Sequence, residues 1–205
     1  MASVTSKFSP GDYLYFHCNQ NTTNADGDKI TFSISATKDR GNTNMAHIIK
    51  PAVVVLSEED TSYGIWGGDL GAVNTWHTRA LNTVRGESWF VTLNDSTDTF
   101  TLEAGTYKVM GQSPIYAGNQ HKARLYNSSD SVAVVNGQNS YSNASYNGQA
   151  GGIFMGTFNI TSSKNFVVQH IFNNDNGGVS QGGFDSGGTN SGPSMFTTIM
   201  IEKLK

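Results

Sequence analysis

The sequence predicts an all-β protein, an antiparallel two-sheet sandwich preceded by a short N-terminal β-hairpin segment. Apolar and polar residues alternate with a period of two in many short segments, most clearly within residues 100–127. Glycine, asparagine and serine separate these segments, as turn residues do in β-sandwiches. No segment shows convincing helical periodicity, and 11% aromatic residues with 14% charged residues argue against disorder.

The N-terminal segment, residues 1–46, differs in character from the rest of the chain. Residues 13–18 and 29–35 are strand candidates, and the polar stretch between them predicts a hairpin with a long loop. Asp26 and Asp28 in this loop could bind calcium. An EF-hand loop needs more acidic positions and a distal glutamate, so a plain hairpin loop is favoured.

A polar linker at residues 38–44 divides the chain into the segment 1–46 and a second domain, 47–205. The strands of the second domain are predicted, in order, at residues 52–56, 76–83, 88–93, 100–102, 107–110, 122–126, 132–135, 153–160, 165–173 and 195–204. The dipeptide Asn136-Gly137 predicts a hairpin turn. Residues 173–193 contain seven glycines without periodicity, which predicts a long exposed loop that is a candidate for function.

Composition excludes several classes of function. The net charge is −3, and the 13 lysines and arginines are scattered, so the basic stripe typical of nucleic-acid binding is missing. Cys18 is the only cysteine, which excludes an intramolecular disulfide. The first 20 residues contain no apolar run suited to a signal peptide, and the longest aliphatic run, residues 52–56, is too short to cross a bilayer. The sequence therefore predicts a soluble protein made in a cytoplasm, without membrane insertion.

No catalytic, cofactor-binding or metal-binding residues are predicted. The five histidines lie in separate segments without a zinc pattern, and there is no Gly-x-Ser-x-Gly motif or phosphate-binding glycine loop. His170, inside an alternating strand, predicts a buried histidine with a hydrogen-bonded ring, and nothing marks His121 as catalytic. Trp66, Trp76 and Trp89 could bind sugars if exposed, but burial in the sandwich is favoured. Carboxylates on distant strands could still form a glycosidase site, a weaker alternative to a non-enzymatic protein.

Five blocks of sequence carry a resemblance to a known family. They are FTLEAGTY (100–107), HKARLYN (121–127), WHTRALNT (76–83), GTFNITSSKNFVVQH (156–170) and FTTIMIEK (196–203). Together they resemble a jelly-roll domain of structural and tail-fibre proteins of tailed bacteriophages. That domain is similar in fold to the tumour-necrosis-factor and complement globular-head superfamily. The resemblance covers roughly residues 50–205 and implies a jelly-roll sandwich that forms a homotrimer.

The function that this resemblance implies is that of a non-enzymatic structural protein of a bacteriophage virion, exposed on its surface as a trimer. It would be a capsid decoration or knob, or a tail-associated fibre or connector protein, in contact with other virion proteins. The alternative is a receptor-binding tip or carbohydrate-binding module that contacts host surface glycans. The sequence has no coiled-coil, collagen-like or β-helical repeat for a fibre shaft, which favours a compact component attached to its platform through residues 1–46.

The last predicted strand provides the candidate subunit interface. Ile199 and Ile201 share one parity, whereas Phe196, Met200 and Leu204 share the other. Both faces carry large apolar side chains, although a strand of a half-exposed sheet would show one polar face. The β-branched pair is assigned to the core of the sandwich itself. Because the resemblance places this strand near a three-fold axis, Phe196, Met200 and Leu204 are assigned to the trimer interface, where a flexible thioether adapts well.

Overall fold

The structure, a computed structural model, describes residues 52–61, 67–68, 70–146, 148–174, 182–184 and 193–204. The chain divides into two units, Met1–Ile49 and Lys50–Lys205, and every described residue belongs to the second. The predicted hairpin and anchor in residues 1–46, including Asp26 and Asp28, therefore lie outside the described residues. So do Trp66 and most of the predicted loop at residues 173–193.

The described residues form eleven strands and one short 3-10 helix. The strands are β1 (Ala52–Asp60), β2 (His77–Thr78), β3 (Thr83–Gly86), β4 (Val91–Asn94), β5 (Thr99–Leu102), β6 (Gly105–Tyr116), β7 (Asn119–Asn127), β8 (Val132–Ser142), β9 (Gln149–Ile160), β10 (Lys164–Phe172) and β11 (Ser194–Lys203). The 3-10 helix, Ala144–Tyr146, lies between β8 and β9.

The strands make two antiparallel sheets that share one hydrophobic core, and the protein is a jelly-roll sandwich. Sheet A has the strand order β3-β1-β11-β6-β9, and sheet B has the order β4-β5-β10-β7-β8, with β2 paired to β10. From β8 onward each successive strand lies in the opposite sheet, and β6 and β7 are also in opposite sheets. These repeated crossings between the two sheets confirm the predicted fold class.

The alternating pattern predicted the faces of the central strands correctly. In β7, Ala123 and Leu125 are fully buried, whereas Arg124 and Tyr126 are only partly covered. The predicted turn at Asn136-Gly137 is wrong, because both residues lie inside β8. Glycine is needed there for close packing rather than for a turn: a Cβ on Gly137 would lie 2.5 Å from the carbonyl oxygens of Ala123 in β7 and of Ile153 in β9 of the other sheet.

A second departure concerns residues 76–83, which were predicted as one strand. Only His77–Thr78 and the first residue of β3 are extended and paired. Between them, the backbone amide of Arg79 donates to the carbonyl of Val168 at 2.8 Å, and Leu81 is fully buried. The segment thus crosses from sheet B to sheet A, and the apolar alternation reflects a buried crossing instead of a continuous strand.

The core has an aromatic half and a polar half. In the aromatic half, five rings follow one another at centroid distances of 5.4 to 5.9 Å; they belong to Phe90, Tyr107, Phe158, Phe166 and Phe100. Along β6 and β10 the buried positions then change from aromatic and aliphatic side chains to Ser113 and His170. Buried polar groups must find partners inside the protein, so the side chains of this second half of the core must form hydrogen bonds with one another.

Candidate functional site

The outer face of sheet A carries a row of apolar side chains. The strand register pairs Val55 with Met200, Met200 with Met110, and Met110 with Met155, across β1, β11, β6 and β9. Met110 is 47% exposed and Met155 is 61% exposed, whereas Val55 and Met200 are half-buried. At about 4.8 Å between strands, these four side chains, here called the methionine row, span about 14 Å.

Most neighbours of the methionine row are polar or belong to an ion pair; Ile153 and Val53 are the apolar ones. On one side the next register row contains Thr198, Gln112 and Ile153, of which Ile153 is 40% exposed. On the other side Lys108 and Glu202 form an ion pair at 3.4 Å. A set of exposed apolar side chains bordered by polar groups is typical of a protein–protein contact surface, and methionine adapts easily to a partner.

The structure brings only one of the three predicted interface residues into this row. Met200 belongs to it. Phe196 is 4% exposed within the chain, because Gly67 and Gly183 pack closely against its ring. A Cβ on either glycine would lie about 3 Å from that ring. Leu204 follows β11 and is half-buried. Their role in a subunit interface stays a prediction.

Ile199 and Ile201 are fully buried in the core cluster, as predicted. Sequence reasoning missed Met110 and Met155, which occupy positions of β6 and β9 where the alternation otherwise places polar residues such as Lys108 and Gln112. The signal available in the sequence was methionine at strand positions whose side chains point to solvent, where polar residues are expected.

A chain of buried polar side chains crosses the other half of the core from sheet A to sheet B. Thr197 Oγ1 donates to Glu58 Oε2 at 3.2 Å and lies 3.3 Å from Ser113 Oγ. His170 Nδ1 lies 3.1 Å from that serine oxygen, and His170 Nε2 lies 2.9 Å from His121 Nδ1. All except Glu58 are at most 3% exposed. We call these five residues the polar chain.

The hydrogen bond from Thr197 to Glu58, at one end of the polar chain, fixes the direction of every other hydrogen bond in it. The proton of Thr197 points to Glu58, so Thr197 Oγ1 must accept the proton of Ser113. Ser113 Oγ then accepts from His170 Nδ1, which leaves His170 Nε2 without a proton. That nitrogen accepts from His121 Nδ1. His121 Nε2 is consequently a bare lone pair, in agreement with its lack of a partner among the described residues.

The assignment requires both imidazoles to be neutral, and their surroundings favour this. Burial lowers the pKa of His121 from 6.5 to about 4. The pKa of His170 lies well below its usual value, first through burial and then through the positive charge of Arg79 and the nearby His121 and His77 rings. Each further proton would add a buried charge without a counter-ion.

Arg79 closes the polar chain at its Glu58 end. Its guanidinium is 1% exposed; Nε donates to Thr197 Oγ1 at 3.1 Å, and Nη2 donates to Glu58 at 3.3 Å and to the Gly182 carbonyl at 2.5 Å. Burial lowers the pKa of this guanidinium and raises that of the Glu58 carboxyl, and each ion opposes the shift of the other. Gly182 N donates in turn to Gly68 O at 3.0 Å, so Arg79 fixes two loop segments onto the sandwich.

A second cation lies on the outer face of sheet B. The Arg124 guanidinium is 3.8 Å from the Trp76 ring centroid and 4.6 Å from that of Tyr126, and both its Nε and Nη2 donate to Gln169 Oε1. Trp76 is half-buried by this packing on the outer face, so it does not lie inside the sandwich as predicted. Trp89 is 63% exposed, so the preference for its burial was wrong. The Lys203 ammonium lies 4.6 Å from the Trp89 ring, which keeps one face of this tryptophan in contact with the protein.

Comparisons with solved structures find proteins of similar architecture. Murine APRIL at pH 8.0 and at pH 5.0 is 10% identical over 76% of this chain and 100% of that chain, with TM-scores of 0.45 and 0.47. The globular domain of the zebrafish complement 1qA protein is 12% identical over 76% of this chain and 97% of that domain, with a TM-score of 0.41. No protein-family model and no curated protein sequence matches the chain. Within its described part, the chain has no helix long and apolar enough to span a membrane.

Proposed function

We propose that this protein is a non-enzymatic assembly component in which three copies associate through the outer face of sheet A. The observation that carries the proposal is the methionine row. Met110 and Met155 expose 47% and 61% of their surface on a face whose nearest charges are paired: Lys108 with Glu202, and Arg85, the register partner of Val55, with Glu59. Isolated exposed apolar residues are ordinary, but a register-aligned row across four strands is costly to leave in water.

The occupant of this face is a second copy of the chain rather than an unrelated partner. The row runs across the middle of sheet A, and a three-fold axis at this row brings the three copies of it together. The family resemblance of residues 50–205 supports three copies around an axis. Burying the half-exposed methionines of each subunit then supplies the apolar centre that stable subunit interfaces have.

A binding or structural role is also supported by the burial of the side chains that could resemble a catalytic pair. Ser113 and His170 lie 3.1 Å apart, the distance expected of a nucleophile and its base. Both are completely buried, and the serine proton is directed to Thr197. A substrate cannot reach this hydroxyl without opening the sandwich, so the arrangement serves the fold.

The location of the assembly is proposed from the sequence resemblance alone. We place it on the surface of a bacteriophage virion, as a capsid decoration or knob or as a tail-associated connector in contact with other virion proteins, with residues 1–46 as the anchor. An electron cryomicroscopy map of the intact particle tests this directly. The proposal fails if three-fold density of this size is missing from both capsid and tail.

The assembly itself is tested by Met110→Asp, with Val132→Asp as the matched control. The two side chains are almost equally exposed, at 47% and 48%, but Val132 lies in β8, on sheet B. A carboxylate buried in the interface costs on the order of 3 kcal/mol per subunit, or about 9 kcal/mol per trimer, which corresponds to more than a million-fold in the trimer dissociation constant. Light scattering should find a folded monomer of 22.0 kDa for Met110→Asp and a trimer for Val132→Asp. A trimer of unchanged stability in the Met110 variant would overturn the proposal.

A further inference from the structure

One end of the sandwich combines exposed aromatic rings with fixed side-chain amides. There the β6–β7 turn lies against the β8–β9 turn: the Ala117 amide donates to the Gly148 carbonyl at 2.7 Å, and the Ala144 amide donates to Asn119 Oδ1 at 3.1 Å. Phe184 joins them, with its ring 5.2 Å from that of Tyr116. We call this end the amide tip and define it by Asn119, Tyr141, Asn143, Tyr146, Gln149 and Phe184.

The aromatic rings of the tip are open to solvent. Tyr146 is 84% exposed, Tyr141 is 56% exposed and Phe184 is 40% exposed. Tyr146 ends the 3-10 helix and Tyr141 lies near the end of β8, so both occupy backbone positions fixed by regular structure. Rings presented in this way offer flat apolar surfaces on which the C–H groups of a sugar can stack.

Two amides of the tip are oriented by the backbone and keep a donor available. Asn119 Oδ1 accepts from the Ala144 amide, and Asn143 Oδ1 accepts from the Ser145 amide at 2.9 Å. The Nδ2 group of each makes no hydrogen bond within the described part of the chain. Asn119 and Ala117 also have φ angles of 53°, a conformation that non-glycine residues rarely adopt and that tends to occur at functional sites.

The described residues of the tip carry no formal charge. Residues 116–121, 140–146, 148–149, 172–174 and Phe184 include no lysine, arginine, aspartate or glutamate, and the one histidine among them, His121, is buried and neutral. An anionic ligand would find no cation here. Amide donors and acceptors beside aromatic rings instead suit a ligand rich in hydroxyl groups and without charge.

We propose that the amide tip binds uncharged glycans. A sugar ring stacks on Tyr146, the most exposed ring of the tip, and its hydroxyl oxygens accept from Asn119 Nδ2 and Asn143 Nδ2. The tip is about six residues along β6 from Met110, or about 20 Å, so assembly through the methionine row leaves it uncovered. The inference rests on the proposed trimer only for avidity, since three tips on one particle strengthen weak single contacts.

The test uses the full chain on a printed panel of oligosaccharides. One set ends in neutral hexose or N-acetylhexosamine, and a parallel set is sialylated or sulfated. The neutral set should bind, and Tyr146→Ala should weaken binding at least tenfold, with the affinity for the best neutral oligosaccharide measured by saturation-transfer NMR. Trp89→Ala, which removes a 63% exposed ring outside the tip, is the matched control and should bind as the wild type does.

Three outcomes would overturn the inference: no neutral oligosaccharide bound by the wild type on the panel or by NMR, binding of the acidic set alone, or equal binding by Tyr146→Ala and wild type. Loss of acidic binding in Arg124→Ala would then assign recognition to the outer face of sheet B. The solution mass of each protein is measured in parallel. A monomer that still binds neutral sugar by NMR in a Tyr146-dependent way supports the tip and refutes the assembly, so the two proposals fail separately.

Discussion

Acidification should destabilise the fold through the polar chain, and His121→Asn isolates that effect. The asparagine Nδ2 takes the place of His121 Nδ1, so it can still donate to His170 Nε2, but it cannot take up a proton. His121 is 3% exposed, and the groups around the histidine pair are His77, Arg79, Ser113 and Glu58 at the far end of the chain. The substitution therefore removes one titrating group from an otherwise retained network.

The magnitude follows from the pKa of His121, which is about 4 in the folded protein and 6.5 without its surroundings. Between these values the unfolded chain binds more protons, so the free energy of unfolding falls as the pH falls. The loss from pH 7 to pH 5 is about 2 kcal/mol, and it approaches about 3 kcal/mol at pH 4. His170 acts in the same direction.

Two carboxyl groups act in the opposite direction and must be separated from the histidines. Burial raises the pKa of Glu58 and of Asp98, so their charge destabilises the folded protein at high pH and this penalty disappears as the pH falls. The net slope of the wild type is thus smaller than that of the histidines alone. The difference between wild type and His121→Asn cancels the carboxyl contribution.

The assay is urea unfolding at pH 7, 6 and 5 at one fixed protein concentration, because association also contributes to apparent stability. The loss of unfolding free energy from pH 7 to pH 5 should be smaller in His121→Asn than in wild type by about 2 kcal/mol. Equal losses in the two proteins would show that His121 is not held neutral, and the assigned direction of the polar chain would be wrong.

Two further predictions concern the last strand and the N-terminal segment. Ile199→Asp, at a fully buried core position, should give unfolded or insoluble protein, whereas Met200→Asp in the methionine row should give monomers with a β-type circular dichroism spectrum. A trimeric Met200→Asp beside a folded, dissociated Ile199→Asp would reverse the assignment of the two faces. Removal of residues 1–46 should leave a folded, soluble sandwich that no longer binds virions in a sedimentation assay. Particles decorated by the truncated protein would place the anchor elsewhere.

The faces of strands could be predicted from the sequence because each depends only on local alternation. Ile199 and Ile201 were assigned to the core and Ala123 and Leu125 to one side of their strand, and the structure agrees. Gly137 was misinterpreted because a turn and a close approach of neighbouring strands both require glycine. Only the pairing of β8 distinguishes the two, and that pairing is not a local property.

The polar chain and the methionine row could not be predicted in the same way, because they combine residues that are distant in sequence. His121 and His170 are 49 residues apart and meet only because β7 and β10 are neighbours in sheet B. The methionine row requires the order β1-β11-β6-β9, which local alternation does not encode. Methionines at solvent-facing positions were visible in the sequence, but their alignment into one row was not.

The solution mass of the wild-type protein tests the central claim most directly. Association through the outer face of sheet A predicts one species of about 66 kDa, three chains of 22.0 kDa, in light scattering coupled to size exclusion. Because the methionine row is an apolar contact, that mass should persist at micromolar concentration and in high salt. A single stable species of 22.0 kDa under the same conditions would contradict the assembly and leave the exposed methionines without the proposed role.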